Sequence, residues 1–198
     1  MTARRSAPSR RALGLILAVA IVVVVAVTVA HIGRVTHELT LPLGDASVIR
    51  EQARAKHLDP ALIAAVIYAE TKFEPRTSSA GAEGLMQIEP ATAEFLAKLS
   101  GGYNFTTRDL ETPSVNVAYG SYYLRYLLEH YEGDEMLAVA AYNAGLANVD
   151  RWVAKARAEG GQLTVDEIPY PQTRAYVQRV LEAQREYRAT YAQQLGLN

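Results

Sequence analysis

Apolar positions along the chain fall into two regimes. Residues 12–30, ALGLILAVAIVVVVAVTVA, form an apolar run with no charged side chain. From about residue 45 onwards apolar positions instead recur at spacings of three and four, the period of helices with a buried face. This pattern predicts helices over 45–57, 59–72, 90–99, 114–131, 134–145, 146–158 and 173–194. Local punctuation agrees with it. Asp59 followed by Pro60, and Pro90, mark helix starts, and Gly145 marks a stop. Segments rich in small and polar residues, TSSAGAEG (77–84), SGGYNFTTRDLETP (100–113) and GGQLTVDEIPYP (160–171), read as loops. No strand pattern or internal repeat is found. The expected fold class is mainly α: one helical domain over 45–198, preceded by one N-terminal transmembrane helix.

One helix breaks its own pattern. In DPALIAAVIYAETKFEP (59–75), Leu62, Ile63, Val66, Ile67 and Phe73 share a stripe, and Glu70 projects close to its middle. Tyr68, Thr71 and Lys72 fall on the opposite side, where a solvated glutamate would be expected. The bland reading is a charge at a fraying helix end. The functional reading is a carboxyl held against an apolar wall, which disfavours ionisation and suits a general acid at neutral pH.

Composition changes the picture mainly at the N-terminus. Arg4, Arg5, Arg10 and Arg11 precede the apolar run and no acid does, so residues 1–11 are expected in the cytoplasm and 12–30 across the membrane as a signal-anchor. A cleavable signal peptide is the competing reading, with TVA before His31 as the cleavage position. The run is longer than a usual signal core, which favours the anchor. Either way the remainder is exported. Residues 31–44 read as a tether reaching about 45 Å when extended. Four of the 20 basic residues and none of the 21 acidic ones precede residue 31. That leaves 16 basic and 21 acidic residues, a formal charge of −5, in the exported part. Nucleic acid is therefore not an expected partner. With no cysteine, the domain has no disulfide and no thiolate metal site. His31, His37, His57 and His130 lack zinc-protease spacing, so no metal is expected.

Three pieces stand in order: AET (69–71), GLMQI (84–88) and AYNAG (141–145), with SSAGAEGLMQIEPATA around the second and IPYPQTRAYVQRVL near the end. Together they resemble the lysozyme-like catalytic domain of lytic transglycosylases of the soluble-transglycosylase (SLT) type, enzymes that cleave bacterial peptidoglycan. The resemblance covers roughly residues 45–190. It implies Glu70 as the catalytic acid, with Thr71 where the family usually has serine. It also implies substrate contacts from Met86, Gln87, Tyr142 and Asn143, and matches Tyr176 to a tyrosine of the family's fourth motif. A serine before the Gly-Ala pair contacts substrate in the family. The loop between Pro75 and Gly81 is one residue shorter than usual, so Ser78 and Ser79 both qualify, with Ser78 preferred. Asn116 and Gly120 match the pattern as packing residues.

Glycosidases usually use two carboxylates. Glu74, Glu83, Glu89, Asp109 and Glu111 sit in predicted loops or at helix ends, where solvated charge is the default. A single acid is what the resemblance implies, with the substrate's acetamido group assisting departure and a 1,6-anhydro sugar as product. No cofactor is implied. The expected partners are peptidoglycan glycan strands and, through the N-terminal helix, the membrane. The rival readings are a hydrolytic muramidase and an inactive glycan-binding scaffold. Most tyrosines of residues 114–131, and Trp152, read as packing residues.

Overall fold

The computed structural model describes residues 41–101 and 105–197, together with Val19, 22–25, Val27 and Thr28 of the N-terminal segment. Residues 1–40 and 41–198 form two separate units. The expected cytoplasmic segment and most of the expected membrane span and tether lie outside the described residues. Among the described residues no helix is long and apolar enough to cross a membrane.

The second unit is built from helices: α1 (Ala46–Lys56), α2 (Pro60–Thr71), α3 (Pro90–Ser100), α4 (Pro113–His130), α5 (Glu135–Ala144), α6 (Leu146–Ala158), α7 (Pro171–Thr190) and the short α8 (Ala192–Leu195). Their starts follow local chemistry. The Asp59 carboxylate accepts from the Ala61 N–H at 3.0 Å, with Pro60 at the first helical position, where no N–H is needed. Asp134 caps α5 by accepting from the Leu137 N–H at 3.0 Å. Gly145 ends α5 with φ at +82°, a conformation that costs glycine little.

Packing is organised around α2. Every residue from Ala61 to Ile67 is buried, so the helix has no solvent face. The five-residue stripe expected from sequence is therefore part of an apolar surface that runs all round the helix. α7 covers one side of α2 and α1 another, while α5 packs between α4 and α7. Asp59 joins the start of α2 to α7, accepting from Gln184 at 2.8 Å and Arg188 at 2.7 Å.

Three further differences from the sequence pattern have physical causes. The packed unit starts at Leu41 rather than Asp45: Leu41 is buried, and Tyr187 and Tyr191 donate to the Pro42 and Leu41 carbonyls at 2.5 and 2.9 Å. The last helix begins at Pro171 and breaks at Tyr191, whose φ of −117° leaves the helical region. Two expected loops contain 3-10 turns, Thr107–Glu111 and Val165–Glu167. In each, an acid three residues on, Asp109 or Glu167, accepts from both the N–H and the hydroxyl of the preceding threonine, Thr106 or Thr164. Among the described residues there is no strand, only an isolated antiparallel bridge between Glu83 and Ile88.

Close approach between α4 and the turn that this bridge closes depends on Gly120. A Cβ there would stand 2.4 Å from Met86 Sδ and 2.8 Å from Met86 Cβ, and Met86 is fully buried. Gly120→Ala should cost about 1–3 kcal/mol by overpacking. Thermal unfolding followed by circular dichroism should show a melting point lower by several degrees. An unchanged melting point would mean that Met86 has room to move.

Candidate active site

Glu70 lies in the last turn of α2 and is partly buried. Two features of that position disfavour its anionic form. The surrounding apolar helices desolvate it, and the C-terminal end of a helix carries negative partial charge. Burial is the largest influence and raises the carboxyl pKa from 4.5 to about 7. Three groups oppose it: the Tyr176 hydroxyl, which donates to Glu70 Oε1 at 2.7 Å, and the charges of Arg76 and Arg179. Arg76 also donates to the Glu70 carbonyl at 2.6 Å, satisfying a backbone acceptor at the helix end.

The wall facing Glu70 is a tight turn, Gly84–Gln87, closed by the Glu83–Ile88 bridge with both of its backbone bonds at 3.0 Å. Asn116 on α4 holds it in place. Its amide oxygen accepts from the Met86 N–H at 2.8 Å, and its amide nitrogen donates to the carbonyls of Glu83 and Leu110 at 2.8 and 3.1 Å. Gly84 is required here. Its φ is +72°, and a Cβ would meet the Asn116 amide nitrogen at 2.2 Å. Two more bonds tie the turn to the neighbouring helices. Thr71 donates to the Leu85 carbonyl at 2.8 Å, and Tyr142 donates to the Met86 carbonyl at 2.9 Å. The hydroxyl next to Glu70 thus fastens α2 to the turn, a role that threonine fills.

A cleft of about 430 Å³ opens between these parts. Glu70, Ser78, Gln87, Tyr142 and Asn143 all line it, so five of the seven residues expected from sequence are brought together. Ser78 faces the cleft and accepts from the Ala82 N–H at 3.0 Å, while Ser79 is exposed and is not part of the lining. Asn143 is oriented by Thr173, which donates to its amide oxygen at 2.8 Å. Gln87, at φ +48°, gives its amide nitrogen to the carbonyls of Arg76 and Gly84 at 2.7 and 2.9 Å. Burial and the nearby Glu70 and Tyr123 push the Tyr142 phenol well above its ordinary pKa, so it stays neutral.

Two expected contacts are corrected. The Met86 side chain is 0% exposed and packs into the core against Gly120, so it is not available to a ligand. Tyr176 is buried and lies outside the cleft lining, and its hydroxyl is bonded to Glu70. Sequence reasoning missed Gln172, Thr92 and Tyr123, which also line the cleft. Thr92 and Tyr123 each lie one turn of helix from a motif residue or a bulky aromatic, a signal too common to single them out. Among the other carboxylates considered, Glu89 lines the cleft but is exposed, and Glu83 lines no part of it and accepts from the Thr77 hydroxyl at 2.8 Å. A second cleft, of about 480 Å³, lies beside His57, Asp59 and Arg125 and contains none of the expected site residues.

A family model described as the transglycosylase SLT domain matches residues 47–165. The soluble lytic murein transglycosylase of Salmonella typhimurium is 31% identical over 164 residues, 81% of this chain and 25% of that protein. Its Escherichia coli K12 counterpart is 30% identical over 155 residues, 76% of this chain and 24% of that protein. Among solved structures, the 70 kDa soluble lytic transglycosylase of Escherichia coli superposes with a TM-score of 0.71 at 28% identity, over 81% of this chain and 26% of that one. An inactive mutant of lytic transglycosylase Slt from Pseudomonas aeruginosa gives 0.71 at 29% identity, over 78% and 25%. The chain spans about a quarter of the length of these relatives. Because the family model covers more than half of the chain, residues 47–165, the chain belongs to the SLT transglycosylase domain family.

Proposed function

We propose that the domain is a peptidoglycan lytic transglycosylase that cleaves the β-1,4 bond between N-acetylmuramic acid and N-acetylglucosamine, with Glu70 as acid and then base. The observation that carries this reading is a single sheltered carboxyl, its pKa raised to about 7, in a cleft whose one other carboxylate, Glu89, is exposed to solvent. The family and the names of its relatives support the same activity.

The chemistry follows from one group with a pKa near the working pH. Protonated Glu70 gives its proton to the leaving glycosidic oxygen as the bond to the muramic anomeric carbon breaks. The acetamido oxygen of the same sugar bonds to that carbon, giving an oxazolinium ion. The Glu70 carboxylate then takes the proton of the 6-hydroxyl, whose oxygen attacks the anomeric carbon and displaces the acetamido oxygen. The product is a 1,6-anhydro sugar, Glu70 is protonated again, and no water is consumed. Tyr176 holds the carboxyl in one orientation through both steps, and Asn143 and Gln87 are placed to orient the acetamido group. Favouring ring closure over water depends on holding the 6-hydroxyl within reach.

The chain is further proposed to be membrane-anchored, with residues 1–11 in the cytoplasm, 12–30 spanning the membrane, 31–40 bridging to the packed domain, and catalysis on the extracytoplasmic side. The uncharged run and the four preceding arginines support this. Relatives of this chain include proteins named membrane-bound and proteins named soluble.

Incubation of the purified protein with cell-wall sacculi tests the reaction. Released muropeptides should be one water lighter than hydrolysis products and lack a reducing end. Reducing ends would establish the muramidase instead, and binding without release the scaffold. Glu70→Gln should lower turnover by at least about 100-fold, the usual scale of acid–base catalysis, and leave glycan binding in place. Because Glu70 must start protonated, kcat/KM should fall as pH rises through about 7. Tyr176→Phe removes a hydrogen bond that favours the carboxylate, so its alkaline limb should move to higher pH; a limb that stays in place would separate Tyr176 from the titrating group. Deleting residues 1–30 should release the protein from the membrane fraction, and retention there would refute the anchor.

A further inference from the structure

The sequence reading assigned most tyrosines of α4 to packing, and two of them, Tyr123 and Tyr126, pack against the core while joining a chain of aromatic contacts that leads outward. Tyr142 lies in the cleft wall with its ring centroid 5.3 Å from that of Tyr123, which also lines the cleft. Tyr126, one turn further along α4, stacks with Tyr123 at 6.4 Å and an interplanar angle of 14°. Phe95 on α3 meets Tyr126 edge-on at 5.4 Å. Phe95 is 43% exposed, one of the few large apolar side chains in the packed domain that face solvent. It stands one turn after Thr92, another residue of the cleft lining, and one turn before Leu99, which is also exposed. A strip of half-buried Tyr126 and exposed Phe95 and Leu99 therefore adjoins the cleft lining at Tyr123 and Thr92.

We propose that this track is a second glycan platform, on which sugar residues beyond the cleft stack, so that the domain grips long strands more tightly than short oligosaccharides. The inference rests on the proposed function for the identity of the ligand. The occupant follows from continuity: Tyr123 and Thr92 line the cleft, and Tyr126 and Phe95 each stand one helical turn from one of them. A pyranose ring has one face lined by C–H bonds, and the negative face of an aromatic ring attracts such positive edges. The residues of this track carry no charge, and the packed domain has no cationic surplus to capture an acidic polymer. Grip by stacking needs none.

Chain-length dependence of affinity tests the platform, measured with the full-length protein carrying Glu70→Gln so that glycan is not consumed. The probes are a peptidoglycan tetrasaccharide and long glycan strands freed of stem peptides. Without further change, long strands should bind more tightly than the tetrasaccharide. Adding Phe95→Ala should lower the ratio of the two affinities about fivefold, the loss expected of one aromatic contact. Phe95→Tyr should retain the ratio and Phe95→Leu should not, because the contact requires a ring. An unchanged ratio in Phe95→Ala, or full retention in Phe95→Leu, overturns the proposal. So does a Phe95→Ala protein that keeps the ratio but sediments less with anionic phospholipid vesicles, which would assign the patch to a membrane surface. The proposed activity fails separately, through a wild-type protein that releases no fragments from sacculi, and the binding ratio still reports on the track in that case.

Discussion

A carboxyl group at the end of a helix with no solvent face is the constraint on which the site depends. Residues 61–67 of α2 are buried all round, and this rigid, dry segment delivers Glu70 to a place that water reaches poorly. Left alone there, an ionised carboxylate would be strongly disfavoured. Tyr176, Arg76 and Arg179 return part of the lost solvation, and the opposing influences leave the group titrating near neutrality. The balance requires α7 to lie against α2, because that contact both excludes water and supplies the Tyr176 hydroxyl. Fold and acidity therefore have a common origin in one helix pair.

The same economy governs the opposite wall. The Gly84–Gln87 turn has no regular structure of its own, yet it is fixed from three directions by Asn116, Thr71 and Tyr142. Two of these three are neighbours in sequence of cleft-lining residues: Thr71 follows Glu70, and Tyr142 precedes Asn143. Residues that touch the cleft and residues that brace it are interleaved along the motifs. A motif match thus marks a neighbourhood and does not by itself say which side chain faces the ligand.

That interleaving explains what was legible in the sequence. Helix starts at Asp59–Pro60 and Asp134, and the stop at Gly145, were readable because capping is decided by a few adjacent residues. Glu70 was readable because an acid among apolar positions conflicts with its surroundings, even though the stripe containing it proved to be one part of a fully buried cylinder. Met86 was not. Whether its side chain points into the cleft or the core is decided by Gly120, far away in sequence, whose missing Cβ opens the space that Met86 fills. The start of the domain at Leu41 was hidden for a similar reason, since its partners Tyr187 and Tyr191 lie at the other end of the chain.

Several polar groups of the cleft are already committed to the protein, and what remains of each sets what the cleft can read. Gln87 spends its amide nitrogen on two carbonyls, leaving its amide oxygen as an acceptor. Asn143 accepts from Thr173 through its oxygen, leaving its amide nitrogen as a donor. Tyr142 spends its hydroxyl proton on the Met86 carbonyl and contributes its ring. An acetamido group offers one donor, one acceptor and a methyl, the complement of that set. Because the protein's own bonds fix each orientation before any ligand arrives, such a group would be positioned at little cost in side-chain freedom. A mechanism that uses the substrate's acetamido oxygen in place of a second carboxylate needs this kind of pre-orientation, since the assisting group must already be aimed at the anomeric carbon when Glu70 gives up its proton.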